Sequence, residues 1–171
     1  MKNMEFKITN KLHLKLLFIA LIFSIIFHNY LNTIIFNFLK KSMDISNYSI
    51  TISFILLIAT ITIITIAHEL IHGLTFTIFG GKVKYKFKFI YAATEEISNK
   101  AISLTQFTII LLAPITVISL FSLLIPNWIG NLIFISNLIG SIGDLYMSIG
   151  LIRYPYDSKI IDKPYGYYVK L

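Results

Sequence analysis

Four long apolar stretches divide the 171-residue chain, and short segments between them carry most of its charge. The first follows Lys7, Lys11 and Lys15. It runs cleanly from Leu16 to Phe27, then through the polar His28, Asn29 and Asn32 to Phe38. Lys40, Lys41 and Asp44 mark its far end. The second runs from Ser49 to Phe79 and is stopped by Gly80-Gly81. The third, with Pro114 inside it, and the fourth are separated by the turn Pro126-Asn127-Trp128. About 20 apolar residues suffice to cross a bilayer. The pattern therefore predicts spans at about 14–38, 50–79, 102–125 and 129–152. The second exceeds one simple crossing and is expected to tilt or to continue past the bilayer edge. No small-x-small cleavage site follows the first, which reads as an uncleaved span.

Between the second and third stretches the period changes. Lys82, Lys84, Lys86 and Lys88 alternate with Val83, Tyr85, Phe87 and Phe89, which is the period of a strand. A return strand is expected over 91–97, giving a strand segment over about 82–97. The chain ends in a polar, tyrosine-rich tail with Pro155, Pro164 and Gly166. The expected fold class is an all-α membrane protein: four transmembrane helices, with a short cytoplasmic-side β-hairpin between helices 2 and 3. It forms one integral membrane domain over 1–171, with no internal repeat.

Composition agrees. The chain is 56% hydrophobic and 13% charged, against about 25% charged in soluble domains, and its mean hydropathy is +0.77. It contains no cysteine, which excludes disulfides and thiolate metal ligands. A net charge of +7 would suggest nucleic acid in a soluble protein. Here the placement of the charges points to the bilayer instead, and no nucleic-acid partner is expected. With the N-terminus inside, only Lys40 and Lys41 of the 15 lysines and arginines fall on the outer side. That asymmetry predicts a multi-pass cell-membrane protein with both termini in the cytoplasm.

The chemistry is concentrated in His68-Glu69-Leu70-Ile71-His72. Histidines four apart on a helix lie on one face, roughly 40° apart around the axis, so both imidazoles can reach one metal ion. The intervening glutamate can reach a water on that metal, as in zinc hydrolases. A third ligand is then needed. Of the eight acids, only Glu69 and Asp144 lie inside apolar stretches, where an idle carboxylate is costly. His72 lies eight residues before Gly80, and Asp144 nine before Arg153. Both therefore sit roughly 12–14 Å from the inner ends of parallel helices. His68, His72 and Asp144 are the expected zinc ligands and Glu69 the general base. Glu95 and Glu96, 23 and 24 residues after His72, are rival third ligands. Their alternative role is pairing with nearby lysines.

Asn137, Ser141, Asp144 and Ser148 form a polar stripe at helical spacing, and Thr65 and Thr75 extend the stripe of the histidines. The hydroxyls are expected to hydrogen-bond between helices. Asn137 precedes Asp144 by two turns, roughly 10 Å along a straight helix. It is expected to contact substrate rather than a metal ligand, helping to stabilise an oxyanion. His13 and His28 read as uninvolved.

These residues resemble two groups of proteins. The pairing of His-Glu-x-x-His with a later Asn…Asp is similar to intramembrane metalloproteases of the site-2 protease type. Here Asn137 is not followed by the usual proline, nor Asp144 by glycine. Closer is a family of small four-span bacterial membrane proteins described as zincin peptidases. It shares the patterns seen at His68–Gly73, Gly80-Gly81, Lys82–Phe89, Leu112-Ala113-Pro114 and Gly143-Asp144. The resemblance covers roughly residues 50–150. It implies a membrane-embedded zinc metalloprotease that cleaves membrane or membrane-proximal protein substrates. The alternative is a non-catalytic zinc-binding scaffold or a small transporter, although no inverted repeat is present.

Overall fold

The longest element is the helix that carries both histidines. In the computed structural model, which describes residues 4–46, 49–88 and 91–171, it spans Ile50–Ile78 (α3). Ser49 caps its start by accepting from the Ile52 amide, 3.4 Å away. Gly80 ends it at φ +77°, a left-handed conformation that glycine adopts without strain. The amides of Gly80 and Gly81 then bond the carbonyls of Thr77 and Phe76 at 2.8 and 2.9 Å. The helix has 29 residues, about 43 Å at the usual rise, which is longer than the roughly 30 Å hydrocarbon core.

Three other apolar stretches surround it. The first divides into Asn10–Ile26 (α1) and His28–Ser46 (α2), bent by 79°. The third is Leu104–Ser122 (α4), which starts from a reciprocal Ser103–Gln106 capping box. The fourth divides into Asn127–Gly140 (α5) and Ile142–Leu151 (α6), bent by 51°. At this second break the Ser141 hydroxyl bonds back to the Asn137 carbonyl at 2.8 Å, a contact that bends helices. Two helices, α3 and α4, are long and apolar enough to cross a membrane, or up to four spans if each bent pair counts as one. The expected four-span layout is thus met only if each bent pair crosses as one span. On α1 no residue is buried, and Leu14, Leu17 and Phe18 are 67%, 67% and 61% exposed. Such a surface is stable against lipid and not against water.

The expected hairpin forms from Val83–Lys88 (β2) and Tyr91–Glu96 (β3), antiparallel, with Lys84 opposite Glu95. Residues 89 and 90 of the expected strand segment lie outside the described residues. The all-α expectation misses a second sheet. Met4–Lys7 (β1), Ile102–Ser103 (β4), Lys159–Lys163 (β5) and Gly166–Lys170 (β6) form a four-stranded antiparallel sheet in the order β1-β6-β5-β4. The supposed tail is therefore a strand pair, closed at Gly166. There φ is +136°, and a Cβ would lie 1.9 Å from the Phe6 carbonyl oxygen. Only glycine lets β1 pair with β6 here.

Two apolar clusters result. Ile34, Phe38, Leu57, Leu132 and Ile135 join α2, α3 and α5. Phe76, Phe107, Ile110, Leu151, Ile160 and Tyr167 join α3, α4 and α6 to the larger sheet. His68 and His72 lie on α3 between the residues that enter each cluster.

Candidate metal centre

His68 and His72 point from α3 toward the start of α6, and both are buried. Their Nε2 atoms are 3.1 Å apart. Asp144, in the first turn of α6, places Oδ2 3.1 Å from His68 Nε2 and 3.4 Å from His72 Nε2. These three side chains form the one cluster of its kind among the described residues.

The tautomers follow from the surroundings. Asn137 Nδ2 donates to the Pro114 carbonyl at 3.3 Å. That leaves Asn137 Oδ1 facing His68 Nδ1 at 3.0 Å, so Nδ1 carries the proton and Nε2 a lone pair. The Ile110 carbonyl lies 2.9 Å from His72 Nδ1 and fixes the same tautomer there. That carbonyl is available because the residue four positions on is Pro114, which has no N–H.

Two imidazole lone pairs and a carboxylate oxygen thus face each other within 3.4 Å. Three acceptors with no donor between them repel, and a cation at their centre removes the repulsion. In a tetrahedral zinc site with nitrogen and oxygen ligands near 2.0–2.1 Å, neighbouring ligand atoms lie about 3.3 Å apart. The donor set and its spacing fit zinc.

Glu69 lies on the adjacent face of α3, half-buried. Its backbone carbonyl accepts from Thr94 Oγ1 at 2.7 Å, which pins β3 against the helix. Its side chain borders a cavity of about 280 Å³, shared with His72, Asp144 and Ala92–Thr94. A second cavity of about 750 Å³ reaches the same Glu69 and Asp144 from between α1 and the Gly140–Gly143 turn. His13 borders that cavity; His28 begins α2, exposed.

Asn137 borders neither cavity. It is 1% exposed, and both ends of its amide are occupied by His68 and Pro114. The expectation of a substrate contact assumed a straight helix, and the 51° break after Gly140 brings Asn137 and Asp144 to the same imidazole. The hydroxyl stripes also differ from expectation. Thr65 and Thr75 bond to the carbonyls of Ile61 and Ile71 in their own helix, at 3.0 and 2.7 Å.

The rival acids are engaged elsewhere. Glu95 Oε1 is 2.5 Å from Lys86 Nζ. Glu96 accepts from the Lys82 and Ser98 amides at 3.1 and 2.9 Å, and from the Ser98 hydroxyl. Burial pushes the Glu96 carboxyl up, but these hydrogen bonds outweigh it and hold it below its ordinary value.

One acid escaped the sequence reading. Asp162, which looked like a tail residue, borders the smaller cavity with Glu69 and His72. Burial pushes its carboxyl up to about 7, against hydrogen bonds from the Glu96 and Lys163 backbone. Lys159–Lys163, Lys-Ile-Ile-Asp-Lys, shows no alternation that would have announced a strand. The freed Ile110 carbonyl was foreseeable from Pro114, but its recipient was not.

No curated protein and no solved structure matches the chain. Residues 61–159 match the sequence profile of a family described as "putative zincin peptidase". That stretch includes α3 from its middle, both histidines, Glu69, Pro114, Asn137 and Asp144. With over half of its length matched, the chain belongs to this zincin peptidase family.

Proposed function

We propose that the protein is a zinc-dependent, membrane-embedded metallopeptidase. The observation that carries this reading is the convergence of two imidazole Nε2 atoms and one carboxylate oxygen within 3.4 Å. His68, His72 and Asp144 would hold the zinc. When bound, zinc supplies a Lewis acid that polarises a peptide carbonyl and acidifies water. Glu69 accepts the proton of the attacking water and returns it to the leaving amine. Among the described residues its carboxyl has no hydrogen-bond partner, so both oxygens are available for this exchange.

The remaining residues hold that geometry. Asn137 orients His68, and the Ile110 carbonyl orients His72. Thr94 fixes the helical turn that carries Glu69. β2 occupies one edge of β3, and the other side of β3 borders the catalytic cavity through Ala92–Thr94. An extended substrate segment is accommodated there by strand addition. The larger cavity, bordered by Leu16, Leu17 and Ala20 of α1, suits the apolar flank of a membrane or membrane-proximal substrate. The positive-inside asymmetry supports placing the site toward the cytoplasmic face, with both termini cytoplasmic.

The test is metal content and peptide hydrolysis in three proteins. Wild type binds zinc and cleaves. Glu69→Gln binds zinc and does not cleave. Asp144→Asn loses zinc. A wild type without zinc, or a cleaving Glu69→Gln, overturns the reading.

A further inference from the structure

At the end of the bundle away from the sheet, α2 and the start of α5 enclose an open cleft of about 460 Å³. Nothing in the peptidase reading uses it. We propose that it binds a phosphate-bearing anion, presented by the headgroup of an acidic glycerophospholipid.

The charge argument comes first. Lys40 and Lys41 line the cleft, with Asp44 as the single opposing carboxylate. Neither lysine makes an ion pair among the described residues. They are also the two cations that break the charge asymmetry of the chain. Two ammonium groups at one cleft repel, and a bound anion removes that repulsion.

The donors come second. Asn37, Asn127 and Asn131 line the same cleft, and no hydrogen bond occupies their amides among the described residues. The first backbone amides of α5, at Asn127 and Trp128, also lack a carbonyl partner there. Pro126 at the cap has no side chain to bond them. Lysines, side-chain amides and these N–H groups are all donors, and phosphate offers only acceptors.

The setting points to lipid as the source. Trp128 packs against Phe38 with ring centroids 5.6 Å apart, and tryptophan is a residue of the membrane–water boundary. Leu123 and Leu124, just before the cleft in the chain, are 77% and 83% exposed. They offer an apolar surface for acyl chains beside a polar slot for the headgroup.

Trp128 is the single tryptophan of the chain and lies in the cleft, so its fluorescence reports on occupancy directly. Full-length protein in neutral detergent is titrated with phosphatidylglycerol or phosphatidylcholine carrying brominated acyl chains. Saturable quenching by phosphatidylglycerol alone is expected. Lys40→Gln/Lys41→Gln weakens it about 30-fold, at roughly 1 kcal/mol per interfacial charge. Lys40→Arg/Lys41→Arg and Lys11→Gln/Lys15→Gln leave it unchanged. Asn131→Asp places a negative charge in the slot and weakens binding too, should the double glutamine variant not fold. Displacement of the lipid by millimolar sodium phosphate supports the anion site and assigns it to free phosphate; no displacement assigns it to lipid. Equal quenching by both lipids, or unchanged binding in the glutamine variant, overturns the proposal.

Discussion

The Nδ1 atom of His72 is held by the carbonyl of Ile110, 2.9 Å away on the neighbouring α4. Helical carbonyls are normally taken by the amide four residues on, and here that residue is Pro114. The proline thus exports a hydrogen-bond acceptor from one helix to a side chain of the proposed zinc site on another.

Replacing Pro114 with alanine restores an amide that competes for the Ile110 carbonyl. Removing such a partner from a metal-bound imidazole typically costs 10–100-fold in affinity, and about 10-fold is expected here. Alanine is also the better helix former, so the metal-free protein should unfold at the same temperature or higher. Competition with a zinc chelator and a thermal scan separate the two effects. Unchanged zinc affinity would remove the role assigned to the Ile110 carbonyl.

Asn137 serves His68 in the same way, but through a side chain. Asn137→Ala leaves the His68 N–H without its acceptor in a buried site. A loss of about 1–3 kcal/mol in stability and about 10-fold or more in zinc affinity is expected. Asn137→Asp keeps an acceptor for His68 and should recover most of the zinc affinity. A positioning role predicts recovery with aspartate and not with the similarly sized Asn137→Leu, whereas a purely packing role predicts recovery with both.

Asp162 makes stability depend on pH. Its carboxyl titrates at about 7 in the fold, against 3.8 ordinarily. Below pH 4 it is protonated in both folded and unfolded chains and contributes no difference. Between pH 4 and 7 the unfolded chain ionises first, so stability falls as pH rises, and the full cost is present above 7. Allowing for partial exposure, that cost is on the order of 2 kcal/mol. Asp162→Asn should therefore flatten the decline of the thermal midpoint between pH 4 and 7 in metal-free protein. The same slope in both proteins would show that Asp162 is not the group responsible.

Gly73 marks where the hairpin approaches α3. A Cβ there would fall 2.1 Å from the Tyr85 hydroxyl and 2.6 Å from its ring. Gly73→Ala must displace the Tyr85 ring, at about 1–3 kcal/mol, although alanine favours the helix. Combining it with Tyr85→Ala should recover part of that loss, a non-additivity measurable by thermal unfolding. Purely additive losses would indicate that the helix, and not the contact, is affected.

The sequence by itself determined much of α3. Its cap at Ser49, its stop at Gly80-Gly81 and the shared face of His68 and His72 are all local, set by residues within one or two turns. It also placed Asp144 in an apolar stretch at the depth of His72, since rise per residue is constant along a helix. What the tertiary structure decided is where these pieces turn. The bends of 79° near Phe27 and 51° at Ser141 show only in the structure, and the second places Asn137 against the imidazole. The larger sheet joins residues 4–7 to 166–170. Strands of two to five residues have too few alternations to announce themselves, and their partners lie at the opposite end of the chain. Asp162 reached the cavity only through that pairing.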